Sequence, residues 1–299
     1  MSNYRRVSAD LEAFVAKAFR VRGVRARRFY AGARRVSGYF RDAGRRRAML
    51  SLPPTPIRIP DDRGYVIVPF GIFEETGAVV ADARARIGRD LPNAAPRAKN
   101  RKRFLQNVIE CSLLDLTSPL MRLALRDDLL ATVSNYLGVP PLLSAISVFV
   151  SEPTDDGQRS SQLFHCDGDD VRQVKVFVLC SDVDETSGPL TLLDSEASSQ
   201  VMAATKYRFR QRLSDAQVHA VVEAGREVSV LGPAGTTVCI DTSRCFHYGS
   251  RVAPGAPPRL VTMIQYQTPY SFMLPERSLQ FRHLVNEELS SLQRLALGG

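Results

Sequence analysis

At 299 residues, with 44% hydrophobic and 24% charged residues, the chain has the composition of a folded globular protein, which excludes a disordered or collagen-like one. It contains no run of ~18 apolar residues, so no membrane-spanning helix is expected. Its five cysteines are odd in number and lack CxxC or regular Cys/His spacing, which argues against a structural zinc site and, with no secretory pattern at the start, for a cytoplasmic protein.

Charge is concentrated at the beginning of the chain. Residues 1–50 hold thirteen arginines and Lys17 against Asp10, Glu12 and Asp42, a net charge of +11; the whole chain is +9, so the other residues sum to −2. Leu11, Phe14, Val15, Ala18 and Phe19 recur at helical spacing, with Ser8 as a fitting N-cap. From Arg20 to Arg47 arginines alternate with Val, Ala and the aromatic residues Phe29, Tyr30, Tyr39 and Phe40. Three roles fit this basic helical arm: a packing extension whose arginines are solvated or paired with acidic patches, a peripheral contact with anionic membrane, or nucleic-acid binding. The last is not expected, because no RRM, KH or helix-turn-helix signature accompanies the arm.

Prolines 53, 54, 56 and 60 make Ser51 to Pro60 an extended linker, and hence a boundary between an arm of residues 1–50 and a body of residues 61–299. Gly64 to Gly71 reads as a short strand and Glu74 to Gly88 as a helix. Lys99 to Arg103 is a second basic cluster. Leu113 to Leu137 reads as one helix by its leucine spacing, with Gly138-Val-Pro-Pro as the stop. Strand-length runs then follow: 142–150, 162–165, 174–179, 189–193, 227–231, 236–240, 246–249 and 259–266. Eight short strands at this density predict a β-sandwich or barrel, interrupted by a helical insertion at 200–224. The segment 275–297, with leucines at 279, 284, 289, 292 and 295, predicts a C-terminal packing or dimerisation helix.

The candidate chemistry rests on two of the four histidines. His165 and Asp167 stand two residues apart in an extended run, so both side chains point to one face and can grip one ion. His247 lies in a second strand-like run, Cys245-Phe-His-Tyr-Gly249. Two imidazoles and one carboxylate make the facial triad that leaves positions open on Fe(II), for a chelating cosubstrate and for O2. A single His-x-Asp is more often an ordinary hydrogen-bonded pair; what strengthens this one is Arg259, twelve residues beyond His247, opening an apolar strand. A guanidinium there needs a partner if it faces a barrel interior, and a dicarboxylate ligand supplies one; the alternative is a solvated strand end. His219 and His283 read as surface residues, and no Gly-x-Ser-x-Gly elbow, phosphate loop or dinucleotide fingerprint is present.

From Gly64 to Tyr270 the chain resembles the phytanoyl-CoA dioxygenase family of Fe(II)- and 2-oxoglutarate-dependent oxygenases. The resemblance lies in His165-x-Asp167, His247 and Arg259, together with Gly64-Tyr-Val-Ile-Val-Pro, Ser187-Gly-Pro-Leu190 and Gly232-Pro-Ala-Gly-Thr-Thr-Val238. It departs at Leu193-Asp-Ser-Glu-Ala197, where many relatives read Pro-Gly-Ser-His. The resemblance implies a mainly β fold with flanking helices, built on a double-stranded β-helix of the jelly-roll or cupin-like kind. It implies His165, Asp167 and His247 as iron ligands and Arg259 as the clamp on the distal carboxylate of 2-oxoglutarate. Gln162, Thr191 and Lys175 are further candidates for cosubstrate contacts, Lys175 because a cation inside an apolar strand needs an anion nearby.

The expected activity is a dioxygenase that hydroxylates a small or lipid-like metabolite, anionic if the arm is a guide, with release of succinate and CO2. Asp167 favours hydroxylation, because halogenating relatives lack that carboxylate. The competing expectation is a non-catalytic jelly-roll binding module whose arm contacts membrane or nucleic acid; a cupin-type metalloenzyme without 2-oxoglutarate leaves Arg259 without a role. The sequence does not set the substrate, the position oxidised or the oligomeric state.

Overall fold

The computed structural model describes residues 14–90, 104–153, 157–272 and 279–299. Its larger sheet has six strands in the order β1 (Tyr65–Val68), β7 (Thr237–Ile240), β4 (Gln173–Leu179), β9 (Arg259–Gln267), β3 (Leu142–Ser151) and β2 (Leu105–Asn107). The smaller sheet orders β6 (Val228–Ser229), β5 (Thr191–Leu192) and β8 (His247–Tyr248). Every pairing is antiparallel, and the fold is a double-stranded β-helix with flanking helices.

Strand parity divides the large sheet into two chemically different faces. Val174, Val176 and Val178 of β4, with Leu260, Ile264 and Tyr266 of β9, join the main core. Packed into the same core are α3 (Thr76–Asp90), α4 (Pro119–Ala124) and α5 (Asp127–Leu137), through Val79, Leu123, Leu129 and Leu130, all fully buried. Each such leucine contributes roughly 1.5–3 kcal/mol. The alternate residues, Lys175, Phe177 and Leu179 on β4 and Arg259, Val261 and Met263 on β9, line a cavity on the other face.

Several expected elements are shorter or divided. The helix expected over 113–137 is two helices, because Arg126 takes an extended conformation (φ −59°, ψ 127°) at the start of α5. The leucine spacing carries across that break because both helices bury their apolar sides in one core. Gly138, left-handed at φ 70°, ends α5 as its sequence implied. The expected strand at 162–165 is a 3-10 turn, Ser160–Gln162, followed by single bridges from Phe164 to Leu213 and from His165 to His247. The insertion begins earlier, with α6 (Ser195–Ala204) capped by Asp194, and resumes as α7 (Asp215–His219). The C-terminal segment is a 3-10 turn, Arg282–Leu284, and a short helix α8 (Ser291–Ala296). Ser8, Leu11, the cluster 99–103 and residues 275–278 lie outside the described residues.

The arm packs on the body with Arg27, Arg34 and Arg45 turned inward, while Arg22, Arg25, Arg28, Arg35 and Arg47 are exposed. In α1 (Val24–Arg41), Arg27 is buried and donates to Gly168 O and Asp170 O, while Arg34 donates to Ser271 O at 2.7 Å. From α2 (Ala43–Met49), Arg45 reaches Pro140 O, Pro141 O and Leu295 O. Most of these guanidinium groups therefore meet backbone carbonyls, which loops and helix ends leave unsatisfied, in place of the expected acidic patches. Gly38 permits the close approach, since a Cβ there would stand 2.1 Å from the Tyr270 ring.

Replacing Arg45 by Met leaves three carbonyl oxygens without their donor and is expected to cost about 2–4 kcal/mol in urea unfolding, whereas Arg35→Ala, exposed and bonded only to Gly138 O, should cost under ~1 kcal/mol.

Candidate metal centre and carboxylate pocket

The two sequence-distant histidines meet through the backbone. His165 N donates to His247 O at 3.1 Å and His247 N donates to His165 O at 3.0 Å, a reciprocal pair that sets the two rings 4.4 Å apart. Antiparallel partners point to the same face, so both imidazoles enter one cavity. Asp167 is anchored separately, its N–H donating to Thr242 O at 2.7 Å. The three side chains offer ligand atoms that all lie within 4.8 Å of one another. Asp167 Oδ1 stands 4.0 Å from His165 Nε2, and Oδ2 stands 3.8 Å from His247 Nε2.

Each imidazole is oriented for ligation. His165 Nδ1 lies 2.9 Å from Leu163 O and His247 Nδ1 lies 3.0 Å from Cys245 O. A carbonyl only accepts, so Nδ1 carries the proton in both rings and Nε2 presents its lone pair. Burial, with His247 beside it, holds the His165 imidazole well below its ordinary pKa, and burial lowers His247 as well. Both rings are thus neutral at pH 7, the form that binds a metal. Burial pushes the Asp167 carboxyl up, but Lys175 and the two imidazoles outweigh it and hold it well below the usual carboxylate range. Lys175 Nζ donates to Asp167 Oδ2 at 2.8 Å. This hard-and-borderline N2O donor set fits a divalent transition metal.

Arg259 lines the same cavity, which has a volume of about 160 Å³ and apolar walls that include Phe149, Phe177, Leu190 and Met263. It is 6% exposed, donates through Nη1 to Gly188 O, and through Nη2 to Ser151 Oγ at 3.2 Å and Ser250 Oγ at 3.0 Å. Among the described residues its Nε has no partner, and burial pushes its pKa down to about 10 with no described carboxylate near enough to oppose that. A buried guanidinium without an anion is costly, and a ligand carboxylate would complete it. Gly188 bears a left-handed φ of 65°, and a Cβ there would stand 2.5 Å from Val252 N, so only glycine lets its carbonyl reach Arg259 in this turn.

The remaining candidates separate. Lys175 lines the cavity at the triad end and is paired with Asp167. Gln162 and Thr191 are not among the lining residues. Gln162 donates to Ser250 O at 2.8 Å and accepts from Arg159 N and, through its carbonyl, from Arg251 Nε, so it supports the Arg259 pocket through Ser250 without lining it. Thr191 pairs in register with Tyr248, on the opposite side of β8 from His247, and its hydroxyl meets Ser229 Oγ at 3.0 Å. Ser151, Ser161 and Ser250 were missed from sequence; of these, only Ser151, in register opposite Arg259 on β3, carried a signal in strand pairing.

No protein-family model matches the chain, and no curated protein matches it. Among solved structures, the chain is similar to EctD from S. alaskensis in its apo form, with 17% identity, a TM-score of 0.50 and coverage of 73% of this chain and 84% of that one. It is also similar to the non-heme α-ketoglutarate-dependent epimerase SnoN of nogalamycin biosynthesis, at 20% identity, TM-score 0.48 and coverage of 69% and 77%. HygX from Streptomyces hygroscopicus with nickel and 2-oxoglutarate bound matches at 15% identity, TM-score 0.47 and coverage of 70% and 84%. At these identities the likeness to EctD bears on the fold alone.

Isothermal titration with Co(II) should give one site per chain, weakened at least ~100-fold by His247→Ala or Asp167→Ala, since even residues behind the ligands are worth ~10–100-fold.

Proposed function

We propose that this protein is an Fe(II)- and 2-oxoglutarate-dependent oxygenase that hydroxylates a small molecule, within or near the phytanoyl-CoA dioxygenase family. The observation that carries the reading is the pairing of an open His-Asp-His triad with a buried guanidinium lacking its own anion, in one cavity. A purely structural metal site usually fills its coordination sphere with protein ligands, and this triad supplies three. That argues against a non-catalytic binding module.

In this reading His165, Asp167 and His247 hold iron, and Arg259 with Ser151 and Ser250 holds the distal carboxylate of 2-oxoglutarate. Bound together, iron and 2-oxoglutarate supply the oxidation, consuming O2 and releasing succinate and CO2 as one oxygen atom enters a C–H bond of the substrate. The protein's part is orientation and exclusion of water. Lys175 keeps Asp167 ionised and turned toward the imidazoles. The apolar walls exclude water from the reacting groups and suit an apolar or lipid-like part of the substrate. Arg212 precedes Leu213, the bridge partner of Phe164, and its charge reaches both imidazoles although it does not line the cavity. This exposed cation favours an anionic group on the substrate.

With Fe(II) and ascorbate, the wild-type protein should release succinate from 2-oxoglutarate even without substrate; His165→Ala should abolish this, and Arg259→Lys should raise the KM for 2-oxoglutarate at least ~10-fold by loss of the bidentate fork. Absence of 2-oxoglutarate-dependent succinate from the wild-type protein ends the proposal.

A second reading concerns the arm. The face of α1 turned away from the body carries Phe29, Val36 and Phe40, which are 76%, 62% and 78% exposed, flanked by the exposed Arg25 and Arg28. Aromatic and aliphatic side chains beside arginines on a convex helix suit peripheral adsorption to an anionic membrane. No helix among the described residues is long and apolar enough to cross one. Sedimentation with vesicles containing phosphatidylserine should capture the wild-type protein, and Phe29→Ser with Val36→Ser should lose at least ~10-fold in partitioning, as ~0.8 kcal/mol per buried methylene implies; equal capture of both proteins removes the membrane reading.

A further inference from the structure

A second cavity, of about 30 Å³, lies where α1 meets the body, and it shares no lining residue with the metal cavity. Arg27 and Arg28 of α1 line it, with Ser199 of α6 and with Ser243 and Arg244 from the turn that leads into His247. Three arginines and two serines therefore line one space with no carboxylate among its lining residues; Arg244 is already held by Asp61 and Tyr136, which leaves Arg27 and Arg28 as its cations. One water needs ~10–15 Å³ measured in this way, so the space holds more than a single water.

Two of these residues are deeply buried with a polar atom left over. Arg27 is 1% exposed, its guanidinium packed between the rings of Phe209 at 3.6 Å and Phe272 at 4.5 Å. Sandwiched in this way, it can donate only in its own plane. Nη1 serves Arg20 O and Gly168 O, and Nη2 serves Asp170 O at 2.6 Å, which leaves Nε without a partner among the described residues. Ser243 is 2% exposed and its Oγ is also without a partner.

The charge is as incomplete as the hydrogen bonding. The groups that bond Arg27 are neutral carbonyls. Of the two nearby carboxylates, Asp169 pairs with Arg20, and Asp170 accepts from Thr268 N, Thr268 Oγ1 and Val171 N. Burial moreover pushes the Asp170 carboxyl up to about 7, so it offers Arg27 only part of a charge at neutral pH. A buried cation in this position gains most from an anion that can also accept several hydrogen bonds.

We propose that this cavity binds a small tetrahedral oxyanion, inorganic phosphate or sulfate, through Arg27 Nε, Ser243 Oγ and the guanidinium group of Arg28. The bound anion fastens the N-terminal arm to the turns on which the metal ligands sit. Arg27 already grips Gly168 and Asp170, directly after Asp167, and Ser243 follows Thr242, whose carbonyl holds the Asp167 N–H. One anion thus touches the arm and a loop that supports the triad. This inference does not depend on the oxygenase reading.

The test is thermal unfolding of the full chain in a chloride-free buffer at constant ionic strength, titrated separately with sodium phosphate and sodium sulfate. A ligand that binds the folded chain raises its melting temperature in a saturable way. The wild-type protein should show that rise with at least one of the two anions, which also identifies the one preferred. Ser243→Ala should weaken the apparent Kd about fivefold and Arg28→Gln about fivefold or more, as expected for one lost hydrogen bond and one lost charge-assisted contact. Arg28 is exposed, so its variant folds even if the serine variant does not. No saturable rise with either anion would mean that the space holds water only and would overturn the proposal. An unchanged Kd in Arg28→Gln would place the anion elsewhere, at Arg259 for example, and would equally overturn it.

Discussion

The reciprocal hydrogen bonds between His165 and His247 are the contact on which the site depends. They join residues far apart in the chain, one in an irregular loop and the other in a two-residue strand, and they fix which way both imidazoles point. Neither segment has a long ladder of its own to set its register. Slipping either strand by one residue would send an imidazole to the opposite face. The carbonyls of Leu163 and Cys245, each two residues before its histidine, then fix the tautomers. Position, direction and protonation of the two imidazoles thus come from six backbone groups.

Buried cations recur through the molecule, and they are accommodated in two ways. Arg45 is surrounded by backbone carbonyls and an ion pair with Asp42. Lys175 is matched by Asp167. Arg259 and Arg27 differ, because each is buried against neutral groups and keeps an Nε without a partner. Protein interiors rarely leave buried donors unsatisfied unless something outside the chain completes them. Both incomplete guanidinium groups adjoin cavities, one beside the His-Asp-His cluster and one beneath the arm.

The arm reverses the usual polarity of a surface helix. Its inward face holds Arg27, Arg34, Ala31 and Gly38, while Phe29, Val36 and Phe40 face outward. The arrangement works because the body presents carbonyl oxygens and the Tyr270 and Phe272 rings there, surfaces that guanidinium planes and a glycine suit better than aliphatic side chains do. Tyr30 completes the seam by stacking between Phe19 and Phe272. Because Arg27 bonds the loop immediately after Asp167, the arm is mechanically joined to the His-Asp-His cluster.

The amino-acid sequence by itself pointed to a β-sandwich or barrel and to His165, Asp167 and His247 as a candidate cluster, because both readings rest on local rules: the period of two along strands, the short spacing of His165 and Asp167, and turn residues such as Gly138 and Gly188; the narrower jelly-roll expectation came from the family resemblance. It also placed Arg259 at the opening of a strand, and strand parity turns that position inward. Only the tertiary structure decided what each polar group meets. Lys175 faces Asp167, Gln162 supports Ser250, Thr191 turns toward Ser229, and the long helix expected before Gly138 divides at Arg126. The inward set of the arm's arginines was equally invisible, since their partners are backbone carbonyls, which every residue carries and no residue type signals. Periodicity reports which side of an element is buried; the partner across the gap belongs to a segment of chain that no local pattern names.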